Sequence, residues 1–154
     1  LHIPQYSMSP PLEEVQSRLT AAEQEAVAME RLATNFSRVH FEFDSSRLTG
    51  TGAALLDENA EILARNPSLV VEIQGHADPR GSTSYNLALG TQRAHAARSR
   101  LMTRGIASGR LMTVTYGEER PLAEGTDEPS LARNRRVEFR VVRGVAPGVA
   151  GTVP

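Results

Sequence analysis

The chain has 154 residues, 40% of them hydrophobic and 23% charged, a composition that suits one globular domain with attached segments and enough apolar mass for a real core. A net charge of -1 and a pI near 6.5 leave no broad positive field, which argues against binding nucleic acid or an anionic membrane by electrostatics alone. All 17 basic residues are arginines, and there is no cysteine, which excludes disulfides, thiolate zinc sites and a lipidated cysteine within this chain.

No apolar run approaches the roughly 20 residues needed to cross a bilayer. The chain opens on Leu1 with no charged-then-apolar leader, as expected of a mature form or an excised piece with any anchor upstream. In "SPPLEEVQSRLTAAEQEAVAMERLATNF", a serine before two prolines and two glutamates predicts a helix from about Pro10 to Thr34. Leu12, Val15, Leu19, Ala22, Ala26, Met29, Ala33 and Phe36 alternate spacings of three and four along it. That stripe fits a helix docked on its own domain and equally a stalk or short coiled coil that would pair two copies, so residues 1–36 are set apart as an N-terminal helical segment.

At Arg38 the period changes to two. Val39, Phe41 and Phe43 alternate with His40, Glu42 and Asp44, which predicts a strand. "TGAALLDENAEILARNP" carries Leu55, Leu56, Ile62 and Leu63 at helical spacing and stops at Asn66-Pro67. "LVVEIQG" is the next strand, with Val71, Ile73 and Gly75 on one side and Glu72, Gln74 and His76 on the other. A second helix follows from about Ser84 to Arg104, closed by Gly105. "RLMTVTYG" is a third strand, "RPLAEGTDEPSLARN" a long connection with one helical turn, and "RRVEFRVV" a fourth strand with Val137, Phe139 and Val141 inward. Residues 144–154 are low-complexity and read as a flexible tail. The expected fold class is therefore α+β: a β-α-β-α-β-β two-layer sandwich with a mixed sheet over residues 37–143, its helices on one face.

The residues with chemical potential gather between the second strand and the second long helix. Gly75 and Gly81 bracket Asp78 in a sharp turn, and Asn86, Gly90, Arg93 and Ala97 share one stripe of the helix that follows. Gly90, lacking a side chain, would leave a dent in which a ligand could lie. "ARNRRVEF" brings Arg135 to another loop-to-strand junction. An acid, an amide and arginines around a groove suit a zwitterion, the carboxylate taking an ammonium and a guanidinium taking a carboxylate. Composition and spacing alone favour the plainer reading, with Asp78 an N-cap and Arg93 a solvated surface charge.

"VHFEFDSS", "IQGHADPRGSTSYNLALGTQRAHAA", "VTYGEERP" and "NRRVEF" stand in the order and spacing of the OmpA-like peptidoglycan-binding domain, which the chain resembles from about Arg38 to Val142. "GHADPRG", "YNLALG" and "TDEPSLARNRRVEF" look most like its peptidoglycan-associated lipoprotein branch. The resemblance implies non-catalytic binding of the meso-diaminopimelate in peptidoglycan stem peptides, at modest affinity per site, in the periplasm at the outer membrane or wall. It assigns Asp78 to the ligand's ammonium and Arg93 to its carboxylate, with Asn86 and Arg135 closing the pocket. Phe43 and Asp44 of "FEFD" would border it, although alternation equally makes Phe43 a core residue and Asp44 a turn cap. That branch has a lipidated cysteine upstream of a short tether; here the heptad-like segment stands in its place, and any membrane attachment would use a region outside this chain.

Other chemistries find little support. His76 and Asp78, with His40 or His95, do not make a metal-ligand pattern, and His76 is better explained as a hydrogen-bonded strand histidine. No GxSxG, P-loop or dinucleotide motif appears, so neither cofactor nor catalytic residue is expected. The rival readings are an oligomerisation module acting through the N-terminal helix and, more remotely, a peptidoglycan hydrolase.

Overall fold

The computed structural model describes residues 19–144, and its elements follow the changes of hydrophobic period along the chain. Four helices and a four-stranded mixed sheet are present among these residues. Helix α1 (Ala21–Ala33) precedes β1 (Val39–His40), α2 (Gly50–Arg65), β2 (Val70–His76) and α3 (Thr83–Thr103). A 3-10 turn (Ser108–Arg110) then leads into β3 (Leu111–Gly117), α4 (Glu128–Asn134) and β4 (Arg136–Arg143). The strand order is β1-β4-β2-β3, with β4 antiparallel to both of its neighbours and β2 parallel to β3. The expected two-layer α+β architecture is what the chain adopts. It carries one helix more than the sequence pattern indicated, because the single turn expected before the last strand is a seven-residue helix with Asp127 as N-cap and Pro129 in its first turn.

Val71, Ile73, Val137 and Val141 of the sheet meet Leu56 and Leu63 of α2 and Ala94, Ala97 and Leu101 of α3 in one core. Full burial of Leu56, Leu63 and Leu101 contributes about 1.5–3 kcal/mol each. At one point the helical layer rests directly on the sheet: Gly75 of β2 and Gly90 of α3 touch backbone to backbone. Gly90 is therefore a packing contact, not a dent for a ligand. Arg110 fastens the end of α2 by donating to the carbonyls of Leu63, Asn66 and Leu69 at 2.7, 2.8 and 2.9 Å.

Two expectations change at the start of the domain. Helix α1 begins at Ala21, because Thr20 has extended backbone and forms a reciprocal capping box with Glu23. The predicted start near Pro10, with Leu12 and Val15, lies outside the described residues, as does the tail beyond Gly144. Within α1 it is Ala28, Met29, Leu32 and Ala33 that pack on the core, while Ala22 and Ala26 of the heptad-like stripe are exposed. Strand β1 is only two residues long. Its ladder with β4 ends at His40–Arg136, and the chain turns away before Phe43, which is 55% exposed and not a core residue.

The opposite face of the sheet carries Glu72, Gln74, Arg136, Glu138 and Arg140 in paired charges, with His76 buried among them. The expected hydrogen bond to this histidine is missing: neither ring nitrogen has a partner among the described residues, Glu138 Oε2 stands 3.9 Å from Nε2, and the ring stacks on Tyr116. Burial, reinforced by the Arg136 charge, pulls its pKa from 6.5 down to about 4. Between those values the unfolded chain binds a proton that the native chain refuses. Stability therefore falls as pH drops through this window, by up to about 3 kcal/mol. Urea melts across the window should show that slope in the natural chain and a flatter one in His76→Phe; parallel slopes would exclude His76 as the cause.

Candidate functional site

Strand β2 ends at His76, and the loop to α3 turns through Pro79 and Gly81, the latter with φ at +97°, a conformation that favours glycine. Ser82, not Asp78, is the N-cap of α3, its hydroxyl accepting from the Tyr85 N–H at 3.1 Å. Asp78 is thus free of the capping role and lies on the floor of a half-open groove of about 320 Å³. Ala77, Asp78, Arg80 and Gly81 of this loop form one side. Tyr85, Asn86, Leu89 and Arg93 of α3 form the second side, and Phe43 and Asp44 the third. None of these lining residues is a serine, cysteine or histidine. Among the described residues no cluster of His, Cys, Asp or Glu could hold a metal ion.

The Asp78 carboxylate is almost wholly buried and fully engaged. Oδ1 accepts from the Arg80 backbone N–H and Nε, each at 3.1 Å, and Oδ2 accepts from Arg80 Nη2 at 2.7 Å and Arg135 Nη1 at 3.4 Å. Burial opposes its ionisation, but the hydrogen bonds and charge of Arg80, with help from Arg135, outweigh it and hold the carboxyl below the usual aspartate value.

Arg93 is completely buried, contrary to the plainer reading of the sequence. Nε donates to the Ser45 carbonyl at 2.8 Å, Nη1 to that of His76 at 2.9 Å and Nη2 to that of Glu42 at 3.1 Å. Three of its five N–H groups thus tie the β1–α2 loop and the end of β2 to helix α3. Burial, and then the charge of Arg135, lower its pKa to about 10, so it stays cationic at neutral pH.

The remaining candidates divide. Asn86 lines the groove and donates to Glu118 Oε1 at 3.0 Å. Asp44 lines it from a left-handed turn position, φ 54°, and its charge favours the cationic form of Arg93. Phe43 lies across the mouth, with the Arg80 guanidinium 3.9 Å above its ring. Arg135 is not among the lining residues: it stands behind Asp78, donating to the Phe41 carbonyl and to Glu128, and positions the carboxylate from below. The expectation that it closes the pocket is corrected accordingly. Arg80 is the residue that spacing missed. Its one sequence signal is that it stands two positions from an acid in a tight turn.

The model of the OmpA family matches residues 40–135. The chain belongs to the OmpA family. The match includes both long helices, β2, β3 and the whole groove. A peptidoglycan-associated lipoprotein of Pseudomonas putida is 46% identical over 101 residues, which are 66% of this chain and 60% of that protein. The chain thus spans about three fifths of that relative's length. One of Haemophilus influenzae is 40% identical over 105 residues, 68% of this chain and 69% of the relative. Among solved structures, the peptidoglycan-associated lipoprotein of Burkholderia pseudomallei superposes with a TM-score of 0.66 at 40% identity, covering 68% of this chain and 89% of that one. The C-terminal domain of Helicobacter pylori MotB, 20% identical with a TM-score of 0.65, shares the fold over 70% of this chain and 84% of its own. As an OmpA-family domain the chain is a binding module, not an enzyme.

Proposed function

We propose that this OmpA-family domain binds peptidoglycan through the zwitterionic end of a meso-diaminopimelate residue in the stem peptide, and so tethers an outer-membrane or envelope component to the cell wall from the periplasm. One observation carries the reading: a buried carboxylate, Asp78, and a buried guanidinium, Arg93, line the same solvent-open groove. In this scheme Asp78 accepts from the ammonium, the Arg93 donors beyond those given to backbone carbonyls meet the carboxylate, and Asn86, Phe43 and Asp44 shape the walls. The names of the three more similar proteins, each a peptidoglycan-associated lipoprotein, support the same ligand class. Few polar contacts make each site weak, about 10 μM to mM, and repetition of stem peptides along the wall supplies avidity.

Asp78→Asn keeps the shape of the side chain and removes the charge. A charge-assisted hydrogen bond of about 1.5–3 kcal/mol would be lost, so titration with a diaminopimelate-containing stem peptide should show affinity about 10- to 100-fold weaker. Undiminished affinity, with sedimentation on sacculi also unchanged, would remove Asp78 from the ligand. Amidation of the diaminopimelate carboxylate should likewise weaken binding in the natural chain.

A further inference from the structure

In the structure the strongest partner of Asp78 is its near neighbour Arg80. The guanidinium is forked onto both carboxylate oxygens, Nε to Oδ1 at 3.1 Å and Nη2 to Oδ2 at 2.7 Å, while its Cζ lies over the Phe43 ring, 3.9 Å from the centroid. It thereby bridges two sides of the groove. The backbone at this position is fixed by Pro79 before it and the left-handed Gly81 after it, and by the Arg80 N–H bonded to Oδ1. The side chain, in contrast, is 40% exposed. It can leave Asp78 for solvent by rotating its own bonds, with the loop unmoved.

We infer that Arg80 is a specificity-determining residue: a tethered cation seated on Asp78 that yields its place to a ligand offering an ammonium and a carboxylate together, and resists one offering an ammonium alone. This rests on the reading of the groove as a diaminopimelate site. A lone primary amine, such as the lysine that takes the diaminopimelate position in other stem peptides, exchanges one cation for another. It leaves the Arg80 guanidinium without the carboxylate it was forked onto, facing solvent and the Glu128 charge. A zwitterion adds no net charge, and its carboxylate gives the displaced guanidinium an acceptor next to the one it has lost. The exchange holds the number of ion pairs at one for the amine and raises it to two for the zwitterion.

The test is titration calorimetry on the full chain with two synthetic stem peptides that differ only in carrying meso-diaminopimelate or lysine. The natural chain should prefer the diaminopimelate peptide. In Arg80→Met the lysine peptide should bind several-fold more tightly than it does to the natural chain, the diaminopimelate peptide should gain nothing, and discrimination should shrink by at least the same factor. Arg80→Lys, which keeps a cation but loses the fork and the planar stack, should fall between the two. Thermal melts establish that each variant is folded; Arg80→Met should lower the melting temperature, because the nearly buried Asp78 carboxylate keeps only the Arg80 backbone N–H and Arg135 as donors. Equal discrimination by the natural chain and Arg80→Met, with binding still dependent on Asp78, overturns the role of Arg80 and leaves the groove assignment standing. Failure of the natural chain to bind either peptide, or indifference to Asp78→Asn, overturns the groove assignment and this inference with it.

Discussion

Arg93→Ala should destabilise the domain by about 4 kcal/mol, the range seen when a buried, fully hydrogen-bonded charge is removed from its partners. The truncation takes three donors at once from the carbonyls of Glu42, Ser45 and His76, of which His76 is buried. It also opens a cavity beneath the loop that carries Phe43 and Asp44. Total stability for a domain of this size is about 5–15 kcal/mol, so the variant should stand near the edge of unfolding at physiological temperature. Arg93→Lys should recover part of the loss, because one ammonium cannot serve carbonyls arriving in the plane and spacing of a guanidinium. Urea melts provide the check; a loss below about 1 kcal/mol would mean that the loop finds other partners. Failure of Arg93→Ala to bind peptidoglycan is consequently poor evidence about the ligand. Asp78→Asn is the better probe, and the two should be read together only when Arg93→Lys remains folded.

Gly75→Ala should be as damaging for a different reason. A Cβ on Gly75 would fall on the carbonyl of Gly90, and one on Gly90 would strike Thr115 Oγ1 and come within 2.8 Å of the Gly75 oxygen. The obstruction is largely backbone against backbone, so side-chain rotation does little to relieve it. Helix α3 must lift from the sheet, exposing part of the core around Ala94 and Ala97, at a cost of about 3 kcal/mol or more. The groove should suffer too, because Arg93 and Asn86 ride on the same helix. Gly50→Ala is the control: a Cβ there meets nothing within 4 Å, and a gain of about 0.4–1 kcal/mol is expected from the stiffer unfolded chain. Equal effects at the two positions would show that backbone freedom, and not the close approach, makes Gly75 necessary.

The layered fold was legible because the apolar period changes clearly at Arg38, Thr49, Leu69 and Ser82, and each change marks a real element boundary to within a few residues. Strand length was not. Val39, Phe41 and Phe43 keep a perfect alternation, but alternation says nothing about where the partner strand stops, and β4 supplies no ladder beyond Arg136. The start of α1 was written in the chain as Thr20-x-x-Glu23, a capping box overshadowed by the serine and prolines upstream. At the groove, helical spacing put Asn86 and Arg93 on one stripe but could not distinguish a glycine that leaves space from one that fills a contact, and so misread Gly90. The burial of Arg93 depends on three carbonyls between 17 and 51 positions away in sequence, which no local pattern reports. Arg80 escaped because its ion pair and its ring contact depend on a loop conformation and on Phe43 leaving the sheet.

The arginine clamps have a consequence for how this family is compared. Arg93 holds the β1–α2 loop and the end of β2 to a helix whether or not anything occupies the groove, much as Arg110 holds the end of α2. A descendant that had given up its ligand would still be under selection to keep Arg93, whereas Arg80, exposed on a turn, would be free to drift. Across an alignment, then, conservation of Arg93 should record folding, and covariation of Arg80 with the stem-peptide chemistry of each organism should record recognition.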